Sequence, residues 1–580
     1  MIWTVGLSMV ALSVLLWLPR SMLAVWRCCT PWILSISSNT RQPGMAVRLW
    51  RSAHVFNLLH LQVLELLDVQ HVLSVALWGF NQVTYLVVDS AESVWCMTLV
   101  LAAALHRPVK AFGNLWHATV ISFGSSICKR LDAIKMKTMT QHASTALLLM
   151  LCAQPSVHAN GQADANGFVE DASVQLHNRF VFERIDYQKG DRFKTTIDGQ
   201  ALQSSTAQES GYGAMLTLKS GFTQGLVGLG LDAHAYGALA VNADDLRGGR
   251  ARYLAKDSRG HVRSQFGRVG AAVKLRMSST VLAYGELRTK NPIFNSSDSR
   301  LLPETNRGFL LTSTDIAHLL VQAGHFTGWS DRNSRGGNLD LRANYSGTTG
   351  SAFRFVGGHW QTPIDALKVS LYWGQFKDNW NTFHFGAAHS LTLQAGRSVD
   401  LNLNVYRSDD TGAAKAGPIN NTTWSALASY RMGMHKLGLG YQKVAGDTPF
   451  DYVNRGSIWL DNAMQLSDFN GPHEASWQVK YEADWSGAGL PGLVSGLAYT
   501  RGSGTDGSRV GADSAYYGAY GQGGKHWERD MMLRYNFIAG AIKNVSLQLN
   551  YSVQRANSAQ SLMDKNFNQW RLLVNLPVVL

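Results

Sequence analysis

Trp477-Gln-Val-Lys-Tyr-Glu-Ala-Asp-Trp485 is the stretch on which the fold turns. Its odd positions are Trp477, Val479, Tyr481, Ala483 and Trp485; its even positions are Gln478, Lys480, Glu482 and Asp484. Successive side chains of an extended strand point to opposite faces, so one face here is apolar with an aromatic at each end and the other is charged. The same alternation runs through Leu367-Lys-Val-Ser-Leu-Tyr-Trp373 and Val545-Ser-Leu-Gln-Leu-Asn-Tyr-Ser-Val553. It returns at the end of the chain, where Trp570, Leu572, Val574, Leu576, Val578 and Leu580 alternate with Arg571, Leu573, Asn575, Pro577 and Val579.

Two architectures bury such strands. A soluble sandwich turns the apolar face to a core; an outer-membrane barrel turns it to lipid, with aromatics at both interfaces and a polar face over a wet lumen. Strand-like runs continue from about residue 160 to the end with no compositional break, their apolar faces end in Trp, Tyr or Phe, and charges sit well inside the strands. These features favour an all-β, transmembrane antiparallel barrel. Polar, Gly-rich connections such as 502–524 read as extracellular loops and Ser278–Thr280 as a periplasmic turn. No fixed-period repeat points to a solenoid or propeller. The chain ends in Leu580, where many such barrels end in an aromatic.

All five cysteines, Cys28, Cys29, Cys96, Cys128 and Cys152, precede Asn160. Around the last of them, MKTMTQHASTALLLMLCAQPSVHA reads as a signal peptide over 136–159: Lys137 in front, an apolar run, then Val157-His158-Ala159 for cleavage. A cysteine-free remainder suits an oxidising compartment. Residues 1–135 are apolar, with membrane-helix candidates near 2–18, 72–88 and 94–105. Because a signal peptide works at a chain's start, this extension is expected to be upstream translation outside the mature protein; an inner-membrane anchor is the other reading. With 11 basic and 5 acidic residues before Asn160, the remainder carries 42 and 35, a net of +7. That charge is dispersed, which argues against nucleic acid as a partner.

If aliphatic and aromatic parity marks lipid, the opposite parity lines the lumen. This places Arg179, Lys274, Arg276, Arg342, Arg354, Lys368, Arg431, Lys480, Arg534 and Arg571 inward. A charge facing mid-bilayer lipid costs about 2–4 kcal/mol, which gives the assignment its energetic basis. Guanidiniums pair carboxylates in a bidentate way and stay charged, so the row reads as a track for anions. The other reading is that these groups pair with wall acids such as Glu482 and Asp484 and only stiffen the barrel.

The region from Gly167-Phe-Val-Glu-Asp171 to Arg571 resembles the OprD family of substrate-specific outer-membrane porins. The resemblance is carried by Asp298-Ser-Arg-Leu-Leu-Pro-Glu-Thr305, Ala323-Gly-His-Phe-Thr327, Asn421-Thr-Thr-Trp-Ser425, Asp447-Thr-Pro-Phe-Asp-Tyr452 and Ser467-Asp-Phe-Asn-Gly-Pro472 in that order. It implies 18 strands, inward-folded constriction loops, a basic ladder and passive uptake of small carboxylate-bearing solutes. It also implies that Arg300 and Arg307 belong to a loop in the pore. By the same likeness Arg407, Asp409 and Asp410 lie near the constriction, the two acids suited to a solute's amino group. Arg407 shares parity with Leu401, Leu403 and Val405, so a position beyond the membrane band or a bulge is expected there.

Rival functions have little in the sequence behind them. His325, His473 and His526 are isolated, and neither a nucleophile elbow nor a metal-spaced cluster is present, so no enzyme, metal or cofactor is expected. A structural or adhesive barrel would plug its lumen or close it with salt bridges. An Arg-lined lumen also suits phosphate, and carboxylates are preferred only through the resemblance. Outer-membrane lipid is the expected surrounding; a homotrimer contact would look like any other apolar face, so monomer and homotrimer both stay open.

Overall fold

The computed structural model describes residues 161–579, apart from 337–338, 457 and 541. The expected extension, signal peptide and terminal Leu580 lie outside the described residues. From the start of the described chain the strands are β1 (Ser173–Tyr187), β2 (Phe193–Ile197), β3 (Gln200–Ser204), β4 (Thr206–Lys219), β5 (Gly228–Ala243), β6 (Gln265–Met277) and β7 (Thr280–Leu287). Next come β8 (Thr305–Ser313), β9 (Leu319–Ser330), β10 (Leu341–Arg342), β11 (Thr349–Gly350), β12 (Phe353–Gln361), β13 (Leu367–Phe376), β14 (Trp380–Gln394) and β15 (Arg397–Asp410). The last are β16 (Asn420–Met432), β17 (His435–Ala445), β18 (Ala475–Asp484), β19 (Leu493–Asp506), β20 (Gln522–Asn536), β21 (Ser546–Ala556) and β22 (Phe567–Val579).

Eighteen of these form one antiparallel sheet, and β2–β3 and β10–β11 are small hairpins outside it. The sheet closes because β1 pairs with both β4 and β22, Phe180 lying opposite Tyr212 on one side and Val574 on the other. Closure leaves no edge strand, which hydrocarbon would not tolerate. Strand β1 starts and β22 ends at the same end, which also carries the short turns 278–279, 395–396 and 433–434. The opposite end carries the long segments 188–205, 244–264, 288–304, 331–352 and 446–474. In outer-membrane barrels short turns face the periplasm and long loops the exterior.

The alternation in 477–485 gives the wall its faces. Trp477 is exposed on the outside while Gln478 is buried inside. Leu547 and Leu549 of β21, and Leu371 and Trp373 of β13, are exposed in the same way. Outward rings touch across neighbouring strands near the long-loop end: Trp424–Tyr441 at 5.4 Å, Trp477–Tyr499 at 5.3 Å, Tyr499–Trp527 at 6.0 Å and Tyr551–Trp570 at 4.4 Å between centroids. At the other end Tyr535 meets Phe537. These are the two aromatic levels expected at lipid–water interfaces.

The apolar cores lie inside the barrel, where folded-in segments meet the wall. One joins Leu301 and Leu302 of segment 288–304 to Val181 of β1, Met215 of β4 and Phe266 of β6. Another joins Phe294 of that segment to Phe326, Phe353 and Phe355 of β9 and β12. Backbone space is made for the first by Gly211 and Gly213, where an added Cβ would lie 2.9 and 3.1 Å from Leu301.

Candidate functional site

The lumen is narrowed by two segments that fold inward. Segment 288–304 packs on β1 and β4–β6 through Leu301 and Leu302, on β9 and β12 through Phe294, and on β15 through the Pro292 carbonyl, which accepts from the Tyr406 hydroxyl at 3.0 Å. Contacts on both sides of the wall carry it across the interior. Segment 446–474 enters from the other flank. Asp461 accepts from Ser425 at 2.7 Å and from Asn402, Trp459 stacks on His359 at 5.5 Å, and the Glu528 carboxylate takes the amides of Leu466 and Ser467. The two segments meet where the Arg455 amide donates to Glu304, beside the bond from the Asn454 side chain to Asn306 of β8.

Several wall cations hold these segments in place. Arg179 faces inward, pairs with Asp298 at 2.8 Å and donates to the Arg300 carbonyl at 2.5 Å. Arg571, also inward, donates to the Ser299 carbonyl at 2.5 Å. Arg268 of β6 does the same for the carbonyls of Pro303 and Asp331. Sequence reading passed over Arg268, although it shares parity with Lys274 and Arg276 on one strand; period two alone would have found it. Arg300 lies in segment 288–304, with its Nε on the Ala251 carbonyl at 2.9 Å and its guanidinium 5.5 Å from the Tyr253 ring. Arg252, which sequence reading also missed, lies within electrostatic reach of Arg250, Arg300 and Arg342, with Asp331 at 4.0 Å.

A second set of inward cations lines the short-turn half. Lys274 pairs with Asp232 at 2.5 Å, and Arg276 donates to Gln162 at 2.7 Å over the Phe222 ring. Lys436 pairs with Asp400 at 2.7 Å, and Lys480 donates to the Asp461 carbonyl at 2.8 Å. Arg431 shares the inward parity of Ser429 and lies within electrostatic reach of Asp400 and Asp484. Lys368 and Arg534 face inward with no ion pair among the described residues. Lys436, Lys480, Glu482, Asp530, Ser429 and Met532 line a recess of about 340 Å³ in this half of the wall.

Six expected positions lie elsewhere, for physical reasons. Phe353 and Phe355 are buried inside against Phe294, so Arg354 between them faces out, exposed, with its guanidinium 5.9 Å from the Trp373 ring. Arg342 lies in the β10–β11 hairpin rather than a wall strand: Leu341 is buried in the Phe294 core, and the Arg342 carbonyl accepts from the Asn454 amide. Arg307 follows the 288–304 segment into β8, where it alternates with inward Gly308 and shares the exposed face of Phe309. Arg407 and Asp409 are on the outward face of β15, as the parity argument warned, and are ion-paired to each other at 2.6 Å. Asp410 ends the same strand, its carboxylate accepting from the Ile419 amide at 2.9 Å.

Among the described residues no group of His, Cys, Asp and Glu could hold a metal ion, and no helix is long and apolar enough to cross a membrane. Residues 166–580 match the family described as outer membrane porin, OprD family. Porin D of Pseudomonas aeruginosa is 36% identical over 430 residues, covering 72% of this chain and 93% of that protein. The porin-like protein GalP of Pseudomonas putida is 30% identical over 421 residues, covering 72% and 95%. Among solved structures, OprD of P. aeruginosa matches with a TM-score of 0.62 at 34% identity over 73% of this chain and 100% of that one. OpdK of P. aeruginosa, solved with vanillate, matches with a TM-score of 0.63 at 31% identity over 71% and 100%. The closed 18-strand wall, the two inward segments and these likenesses agree: the chain belongs to the OprD family of outer-membrane porins, channels of the Gram-negative outer membrane and not enzymes.

Proposed function

We propose that this porin gives passive, selective uptake to small carboxylate-bearing solutes, handed along the lumenal cations on either side of the constriction. The observation that carries the reading is the run of inward Lys368, Arg431, Lys436, Lys480 and Arg534 below the constriction, with Arg252 and Arg300 above it. Conduction requires that each cation hold an anion weakly enough to release it to the next. Arg179 and Arg571 serve this track indirectly, by fixing the 288–304 segment. In the 340 Å³ recess Glu482 and Asp530 stand beside Lys436 and Lys480, so a solute carrying both a carboxylate and an ammonium finds both partners there. Asp409, expected in that role, has its carboxylate on Arg407. A solved relative that holds vanillate, itself a carboxylate, is consistent with the class.

The aromatic-flanked outer face supports outer-membrane lipid as the surrounding partner, and a homotrimer would use part of the same face. The test is block of single-channel current by benzoate and by arginine, using protein purified from outer membranes. Block that weakens in Lys480→Gln and Lys436→Gln supports a carboxylate track. Pores indifferent to both solutes would refute it.

A further inference from the structure

The outward face is not uniformly apolar. Trp527 of β20 is opposite Arg501 of β19 and Arg555 of β21, and its neighbours two residues away on the same face are Lys525 and Arg529. Four cations thus surround one indole on three adjacent strands. Arg555 donates to the Gln554 and Phe567 carbonyls and to Asn568 at 2.7 Å, which fixes its guanidinium beside the indole, whereas the side chains of Arg501, Lys525 and Arg529 have no ion pair or hydrogen bond among the described residues. No acid faces outward on β20, β21 or β22. At the end of β19, Asp506 follows a register shift and accepts from Ser508.

Five further cations share the outward parity near the long-loop end: Arg184, Arg307, Arg354, Arg407 and Lys443. The outward acids Asp186 and Asp409 each pair with the arginine two residues earlier. At the short-turn end the outward face of the wall strands carries one cation, Arg397. A barrel gains nothing from this asymmetry by itself. An outward arginine is most costly at mid-bilayer and far less so near an interface, and Arg529 lies one cross-strand row nearer the bilayer centre than Arg501 and Arg555. Snorkelling toward an anionic headgroup offsets that cost. The long-loop end is the exterior end, and the exterior leaflet of a Gram-negative outer membrane is lipopolysaccharide, whose lipid A carries phosphates at the depth of the aromatic level.

We infer that Arg501, Lys525, Arg529 and Arg555, gathered around Trp527, form a docking site for a phosphate of lipid A. The indole covers the sugar–acyl boundary while the guanidiniums take the phosphate oxygens in charge-assisted pairs. Arg184 and Arg407, each already paired, contribute little.

The test is native mass spectrometry of detergent-solubilised protein titrated with bis-phosphorylated lipid A, dephosphorylated lipid A and phosphatidylglycerol. Wild type should bind the bis-phosphorylated form at least about tenfold more tightly than either other lipid, and Arg501→Gln/Arg529→Gln/Arg555→Gln should lose about that factor. Arg184→Gln/Arg407→Gln should bind as wild type. Unboiled gel mobility shows whether the triple variant is folded; if it is not, Arg529→Gln alone must show a partial loss. Unchanged binding in a folded variant, or equal binding of dephosphorylated lipid A, overturns the site. Equal binding of phosphatidylglycerol overturns the assignment to lipopolysaccharide. Channel block by benzoate is unaffected either way, so this proposal and the transport reading fail independently.

Discussion

Truncating Leu301 to alanine should widen the pore without unfolding the barrel. Leu301 is fully buried and rests over Gly211 and Gly213 of β4 among Val181, Met215 and Phe266. Removing a buried leucine side chain costs about 2–5 kcal/mol, the upper part where the site cannot collapse. Collapse is hindered here, because the glycines are fixed in a wall strand paired on both sides by β1 and β5. The loss therefore falls on segment 288–304, whose remaining anchors on this flank are Leu302 in the same core and the polar contacts of Arg179 and Arg571 with backbone carbonyls and of Arg268 with Pro303. Single-channel recording should show a higher conductance and a noisier open state, with the heat-modifiable gel shift of a folded barrel retained. A folded variant with wild-type conductance and noise would show that 288–304 does not set the constriction. A variant that fails to fold would show that this core supports the wall instead.

Three further outcomes follow from the same geometry. Glu304 is fully buried, and burial pushes its carboxyl up to about 8 from the ordinary 4.5. A folded value above the unfolded one means its contribution is complete below pH 4.5 and lost as pH rises toward 8, so open-state noise should grow over that window and Glu304→Gln should flatten it; an unchanged profile in Glu304→Gln contradicts this. His526 and Glu474 form a 2.5 Å pair with both side chains wholly buried, and breaking such a pair costs about 3–5 kcal/mol. His526→Ala should speed amide exchange in 446–474 while sparing 288–304; uniform acceleration would argue against a local latch. Arg354→Ala and Arg407→Ala should leave ion selectivity unchanged, since both face outward, and a shift in reversal potential would return them to the lumen.

The wall was legible from period two because lipid and lumen impose opposite chemistry on alternate residues, and Lys480, Arg534 and Arg571 were placed inward by that rule alone. The rule broke where the barrel is filled. Phe353 and Phe355 look lipid-facing, yet an inward segment supplies Phe294 as an equally apolar partner, which reversed Arg354. Leu339, Leu341 and Tyr345 alternate like a strand, yet they sit in a long-loop segment, with Leu341 buried in the same core. Arg300 was placed in its segment through family likeness, because loop position depends on distant partners such as Ala251 and Tyr253 that no local pattern reveals. For Arg179 and Arg571 the open readings were a track and pairing with wall acids; their hold on the backbone carbonyls of 288–304 is a third arrangement that no local pattern reveals.

Lumenal cations that select the solute must also set the reversal potential of single channels in a potassium chloride gradient. An anion-leaning potential that moves toward zero in Lys368→Gln, Lys480→Gln and Arg534→Gln is the predicted result. A cation-leaning potential, or one indifferent to all three substitutions in folded protein, would contradict it.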